Sequence, residues 1–372
     1  MKIIVGGGIS GLWLAAELKA RSIPCCVLEK NALGQGQTLA SQGMIHGGTK
    51  YALDGALSNA AKVIGEMPER WRQALAGMGS VNLQGVALER DSQLMWSVES
   101  VTANLLGFFA SKIMQSRMER IDPASEPAFA SPAYKGHLYR LNEPVLKLHT
   151  LIERFESLLG KQLLRAEVTR LIKKNGQVTG VETNQGQLEG EVILTAGEGA
   201  AALIRDAEFT SPIMQLRPLA MGLCRLNTPI PKIFGHQLGH SSKPKVTVST
   251  HEINDKQYLY LGGQLAEDGV LCTDLVQIKK IEKTVGEAIP WLKPDIESTQ
   301  VFRINRAEPY TEKGNRPDAA FVQPMAGAFV CWPTKLSLAP ALADKLLDAL
   351  KPETKACFPA WPRASAGEYP WA

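Results

Sequence analysis

Four residues that read as a strand, Lys2-Ile3-Ile4-Val5, run directly into Gly6-Gly7-Gly8-Ile9-Ser10-Gly11, and this junction constrains the chain more than any other feature. Leu12-Trp13-Leu14-Ala15-Ala16-Glu17-Leu18 follows as an apolar helix, and Ile23 to Glu29 reads as a second strand entered through Pro24. Strand, turn, helix and strand within about thirty residues make a βαβ unit. The spacing Gly6-x-Gly8-x-x-Gly11 then acquires physical meaning. Gly6 permits the tight turn, Gly8 lets a pyrophosphate approach the backbone, and Gly11 lets the helix pack close to the strand. Free N–H groups at the helix start face the phosphates. Glu29 lies 18 positions beyond Gly11 and can accept hydrogen bonds from a ribose hydroxyl. Its charge disfavours a 2′-phosphate, so NAD or FAD is expected rather than NADP. A glycine-rich turn without ligand is the bland alternative, and the strand before and acid after outweigh it.

With 372 residues the chain has room for two domains or one large α/β unit. The net charge of +4 is small and scattered, which argues against a nucleic-acid partner. Six cysteines without a CxxC pair suit a reducing compartment and supply no metal spacing, so no metal is expected. Cys25 and Cys26 read as buried small hydrophobes. No signal-peptide pattern and no apolar run of about 18 residues is present, so a cytoplasmic protein without a transmembrane segment is expected. Peripheral membrane contact stays compatible with the sequence; Val101 to Met114 could supply it, although buried core is the stronger reading of that run.

Further along, residues 34–55 are rich in Gly, Ser, Gln and Thr and read as a long functional loop. Helices are expected over 58–76, 98–115, 145–159, 273–287 and 337–350. Strand-like runs cover 81–90, 213–226, 245–263, 299–307 and 319–332. Residues 122–134 read as irregular and the tail 352–372 as extended. Gln162 to Lys173 and Gln177 to Thr183 form a hairpin, because Asn175-Gly176 supplies the positive φ angles of a type I′ turn. Glu191 to Thr195 is a strand leading into Ala196-Gly197.

These residues resemble the FAD-dependent superfamily of D-amino-acid oxidase and glycerol-3-phosphate dehydrogenase, over nearly the whole chain. Ile45-His46-Gly47-Gly48-Thr49-Lys50-Tyr51 is similar to the Ile-His-Gly-Gly-x-Arg-Tyr of the glycerol-3-phosphate dehydrogenases, with Lys50 in place of arginine. Thr334-Lys335-Leu336-Ser337 is similar to their Gly-Lys-Leu-Thr at the flavin pyrimidine. The resemblance implies an α/β fold with a Rossmann-like, glutathione-reductase-type FAD-binding domain over 1–80, 145–212 and 313–372. It also implies a mixed, largely antiparallel substrate domain over 81–144 and 213–312. FAD would meet Gly6, Gly8, Ile9, Ser10 and Gly11 at the turn, and Glu29 and Lys30 after the second strand. Thr38, Ala40, Ser41, Gln42, Gly43 and Met44 would wrap the pyrophosphate. Val168 would meet adenine, with Ala196 and Gly197 at the dinucleotide, and Thr334, Lys335, Leu336 and Ser337 at the flavin.

Five residues are candidates for chemistry. His46 could take a hydroxyl proton, Lys50 and Tyr51 could help hold an anion, and Lys335 could face the flavin edge where negative charge builds. Arg303 is preferred over Arg306 as the fork for a substrate anion; strand alternation puts the two on opposite faces. The implied function is oxidation of a small anionic metabolite, a hydroxy acid or polyol phosphate, by hydride transfer to flavin N5. Amino-acid or secondary-amine oxidation is the alternative, and a non-catalytic FAD-binding protein the second. Action on modified RNA is disfavoured by the modest charge. Oxygen, a quinone or a protein could accept the electrons.

Overall fold

The computed structural model describes residues 1–48, 59–98, 118–239, 244–350 and 358–371. Two large sheets dominate. The first has six strands in the order Phe321–Met325, Ala328–Trp332, Glu191–Leu194, Lys2–Val5, Cys25–Glu29 and Leu163–Arg165. Every neighbouring pair is parallel except the first, which closes as a hairpin. Parallel sheets are covered on both faces, and side chains alternate between two cores accordingly. Ile4, Val27 and Ile193 enter one core; Ile3, Val5, Cys26, Leu28, Val192 and Leu194 enter the other.

The first core is closed by the helices Ile9–Ala20, Asn59–Leu75, Leu148–Leu159 and Ala339–Ala349. Helix Ile9–Ala20 is buried from Ile9 through Leu18, which is why its sequence is apolar around its whole circumference. The opposite core is closed by the helix Ala200–Asp206 and a three-stranded sheet, Val168–Lys174, Gln177–Thr183 and Gly186–Glu189. Its first hairpin turns at Asn175 and Gly176, with φ of 52° and 74°, as the Asn-Gly pair anticipates. Burial pushes the Cys25 and Cys26 thiols up to about 12, so both act as small hydrophobes.

The second sheet has eight strands in the order Ile296–Pro309, Met214–Leu226, Lys256–Gly262, Pro244–Ile253, Phe234–Leu238, Gln93–Trp96, Leu138–Leu141 and Met118–Ile121. It is antiparallel apart from the parallel pair Phe234–Leu238 and Gln93–Trp96. Helix Asp274–Ala288 covers one face through Ile281 and Val285. Phe234–Leu238 and Gln93–Trp96 are absent from the sequence expectation for a physical reason: both are buried at every position, so neither alternates. The expected run 81–90 is a strand only at Leu88–Arg90. The expected helix over 98–115, with its membrane-contact alternative, lies outside the described residues except at Val98.

Among the described residues no helix is long and apolar enough to cross a membrane, and no group of His, Cys, Asp and Glu could hold a metal ion.

The turn at the centre of the first sheet tolerates no added carbon at Gly11. A Cβ there would stand 2.2 Å from the Gly6 carbonyl oxygen and 2.8 Å from Thr195 Oγ1. Gly11→Ala is expected to destabilise the protein by about 1–3 kcal/mol, read as a lower urea midpoint at unchanged slope.

Candidate functional site

Both sheets border one cavity of about 1520 Å³. At one end lies the glycine turn. Gly6 has φ +111°, and the Gly6 N–H donates to Leu28 O at 2.8 Å, which ties the turn to the second strand. Glu29 accepts from the Gly7 N–H at 2.8 Å through Oε2 and from the Asn31 N–H at 2.9 Å through Oε1. These bonds fix the carboxylate in the cavity wall, and its remaining lone pairs can still accept from hydroxyls. A Cβ on Gly8 would meet only Thr38 Oγ1, at 3.4 Å, so this glycine keeps the backbone bare toward the cavity.

The loop from Lys30 to Gly48 is anchored on both sides. Thr38 Oγ1 accepts from the Ile9 N–H at 3.1 Å. The Gln42 amide reaches Tyr260 O at 2.9 Å, Ser249 Oγ at 3.1 Å and Thr247 O at 3.2 Å in the eight-stranded sheet. Tyr260 OH returns a bond to Ala40 O at 2.9 Å.

Of the residues expected to meet a cofactor, Gly6, Gly8, Ile9, Ser10, Glu29 and Lys30 line the cavity. So do Thr38, Ala40, Ser41, Gln42 and Met44 from the loop, and Val168, Ala196 and Gly197 from beyond it. Gly11 and Gly43 do not; they are packing positions behind it, and a Cβ on Gly43 would stand 2.4 Å from Leu146 O.

Thr334, Lys335, Leu336 and Ser337 line the same cavity. Ser337 is 1% exposed, and its Oγ is a buried polar atom with no hydrogen-bond partner among the described residues. A dinucleotide fits what is present: a bare glycine turn, a carboxylate fixed in the cavity wall, and a buried hydroxyl without a partner among the described residues.

His46 also lines the cavity. Its Nδ1 stands 3.7 Å from Glu143 Oε2, while Glu143 Oε1 accepts from the Gly47 N–H at 2.8 Å. The His46 ring lies 5.3 Å from that of His236. His236 is buried and bonded at Nδ1 to Thr247 Oγ1 at 2.9 Å and at Nε2 to Gln93 Oε1 at 3.1 Å. Burial, with a smaller push from His46, lowers its pKa to about 3, so His236 is neutral. Glu143 lies in the connection between Leu138–Leu141 and Val145–Leu146 and carries no local motif, so sequence reasoning misses it; His236, which the sequence leaves as a structural histidine, is buried and hydrogen-bonded on Phe234–Leu238. Lys50 and Tyr51 lie outside the described residues.

The two arginines on Ile296–Pro309 differ sharply. Arg303 donates to Asp274 Oδ1 at 2.8 and 3.1 Å and to the carbonyls of Val270 and Cys272 at 3.1 and 2.7 Å, with its side chain 43% exposed. Every arm of its fork is engaged at the cavity rim. Arg306 lies inside, opposite Arg217 on the paired strand. Glu267 stands 3.5 Å from Arg306 Nη2, and Arg217 bonds Glu308 at 2.8 Å. Burial, then the neighbouring Arg217, lowers the Arg306 pKa to about 10. Arg217 Nη2 is buried without a hydrogen-bond acceptor among the described residues.

The neutral histidines set an acid limit. His236 titrates near 3 and His251 near 4, both depressed from 6.5 chiefly by burial. The unfolded chain takes up these protons near 6.5 and the folded protein resists them, so their stabilisation is complete above 6.5 and is lost as pH falls toward 4 and below. The urea midpoint is expected to drop across that window, and His236→Gln should reduce the drop.

Comparison with known proteins bears on this site. The family model described as DAO, FAD dependent oxidoreductase, matches residues 2–328. The chain is 38% identical over 378 residues to the probable FAD-dependent oxidoreductase PA4991 of Pseudomonas aeruginosa, covering 99% of this chain and 96% of that protein. The crystal structure of PA4991 superposes with a TM-score of 0.86 at 34% identity, over 100% of this chain and 96% of that one. Glycine oxidase from Bacillus cereus superposes with a TM-score of 0.69 over 93% of this chain and 96% of its own, and at 16% identity it shares the fold alone.

Proposed function

We infer function from a plain premise: this chain belongs to the FAD dependent oxidoreductase family DAO and is an FAD-dependent oxidoreductase. FAD, when bound, supplies the redox chemistry by accepting a hydride from a substrate carbon. We propose that the substrate is a small anionic metabolite, a hydroxy acid or polyol phosphate, oxidised at a C–OH carbon. One observation carries this reading. A single cavity presents both an arginine pair, Arg306 with Arg217, and a histidine, His46, that can take a proton.

In this reading Arg306, not Arg303, holds the substrate anion. Its pairing with Glu267 is loose, whereas the Arg303 fork is fully used by Asp274 and two carbonyls. His46 accepts the hydroxyl proton while the carbon gives its hydride to the cofactor, leaving a carbonyl. Glu143, with Oε2 3.7 Å from His46 Nδ1, positions the ring for that transfer. Lys335, with the backbone of Leu336 and Ser337, faces the edge where negative charge builds. Lys50 and Tyr51 are assigned to the anion only on their motif.

FAD would be held by the residues from the glycine turn to Thr334–Ser337, in a Rossmann-like domain of glutathione-reductase type assembled from 1–80, 145–212 and 313–372. The segments 81–144 and 213–312 make the substrate domain. The six-stranded sheet draws all its strands from the former and the eight-stranded sheet from the latter, which supports this division.

Amino-acid or secondary-amine oxidation is the second reading, favoured by a fold shared with glycine oxidase. An anaerobic screen of 2-hydroxy acids, polyol phosphates and amino acids decides. Bleaching of the flavin band by the first two classes is expected; bleaching by amino acids alone would transfer the assignment. A flavin reduced by dithionite but by none of these compounds would make the protein a non-catalytic FAD binder.

Once a reducing substrate is in hand, Arg306→Lys is expected to weaken its binding at least about tenfold, since lysine loses the bidentate fork. Arg303→Lys should change binding less than about twofold, because its partners are Asp274 and backbone. Substrate titrations of flavin reduction measure both.

A further inference from the structure

The turn carrying Lys335 is held in a conformation that its own sequence resists. Thr334 has φ +63°, in the left-handed region. Of the seven non-glycine residues with positive φ among those described, it alone is β-branched. Branching at Cβ crowds the backbone there, so threonine is a poor choice unless the surroundings impose it. The segment resembling this one has glycine at the same place, where such a φ carries no strain.

Two contacts pin the turn. Thr334 Oγ1 donates to Ala319 O at 3.2 Å, tying the start of the turn to the segment before the hairpin strand Phe321–Met325. Trp71 Nε1 donates to Ser337 O at 3.0 Å and fixes its end from the helix Asn59–Leu75. Between these anchors Lys335 and Leu336 line the cavity, and the orphaned Ser337 hydroxyl lies beside them. A glycine would adopt the same backbone but could not make the first anchor. Strain of this kind persists where the structure over-determines a residue, and such places gather at ligand sites.

We propose that Thr334 is a positioning residue. Its hydroxyl tether to Ala319 holds the strained turn so that Lys335, Leu336 and Ser337 are preset toward the flavin edge before the cofactor is reduced. This rests on the reading that the segment faces that edge.

The test uses the FAD-loaded protein and needs no substrate: the flavin midpoint potential is measured against a reference dye during reductive titration. Thr334→Gly removes the tether and the strain, Thr334→Ser keeps the tether and removes the branching, and Lys335→Met removes the charge. The expected pattern is a shift to more negative potential in Thr334→Gly and Lys335→Met, with Thr334→Ser at the parent value. A parent-like potential in Thr334→Gly, with Lys335→Met shifted, overturns the positioning role and leaves the flavin-edge reading standing. An equal shift in Thr334→Ser and Thr334→Gly also overturns it, because the hydroxyl then does not matter. No shift in Lys335→Met removes the flavin-edge reading and this inference with it.

Discussion

The Gln42 side-chain amide joins the two halves of this protein. From a loop that starts at the six-stranded sheet, it donates to Tyr260 O, Ser249 Oγ and Thr247 O on the eight-stranded one. Tyr260 OH closes the circuit on Ala40 O, and Thr38 secures the loop's near side at Ile9. Each such bond contributes roughly 1 kcal/mol, yet leaving buried partners unpaired costs about 1–3 kcal/mol apiece, so the loop has one favourable seat. That seat sets the spacing between the sheets and therefore the cavity. The glycine turn, His46 and the inward-facing arginine pair border one space because the loop between them cannot wander.

Electrostatics then sorts the groups inside. Burial makes His236 a neutral hydrogen-bonding scaffold, while the His46 ring, tilted 40° to it at 5.3 Å, is half-exposed and lies beside Glu143. Arg217 and Arg306 sit directly opposite each other on paired strands, an arrangement that like charges normally disfavour. Glu267 and Glu308 offset the repulsion. An anion entering between the guanidiniums would gain from both, which is the physical basis of the proposed anionic substrate.

A surface hairpin and the turn beside the cavity treat positive φ differently. Asn175 and Gly176 take positive φ in a surface hairpin with residue types suited to it. Thr334 takes positive φ beside the cavity with a residue type that is not, and a dedicated hydrogen bond holds it there. Ser337, a few residues on, buries a hydroxyl without a hydrogen-bond partner among the described residues. Consistency across the hairpin and inconsistency at the turn together separate scaffold from site.

What could be read directly from the chain was whatever neighbours in sequence decide. The βαβ unit, the roles of Gly6 and Gly11, the Asn-Gly turn and the all-round apolar helix Ile9–Ala20 depend on contacts or dihedral preferences within about thirty residues. Strands buried on both faces left no period to detect, so Gln93–Trp96 and Phe234–Leu238 were invisible. Alternation showed that Arg303 and Arg306 point to opposite faces, but parity carries no label for which guanidinium is already engaged by the protein. That choice fell to tertiary structure, because Asp274 and the carbonyls that occupy Arg303 come from another element. The same holds for Glu143 against His46, 97 residues apart, and for Gln42 against partners more than 200 residues away. A chain states local preferences at each position; only closure of the two sheets on each other decides which distant groups share a wall.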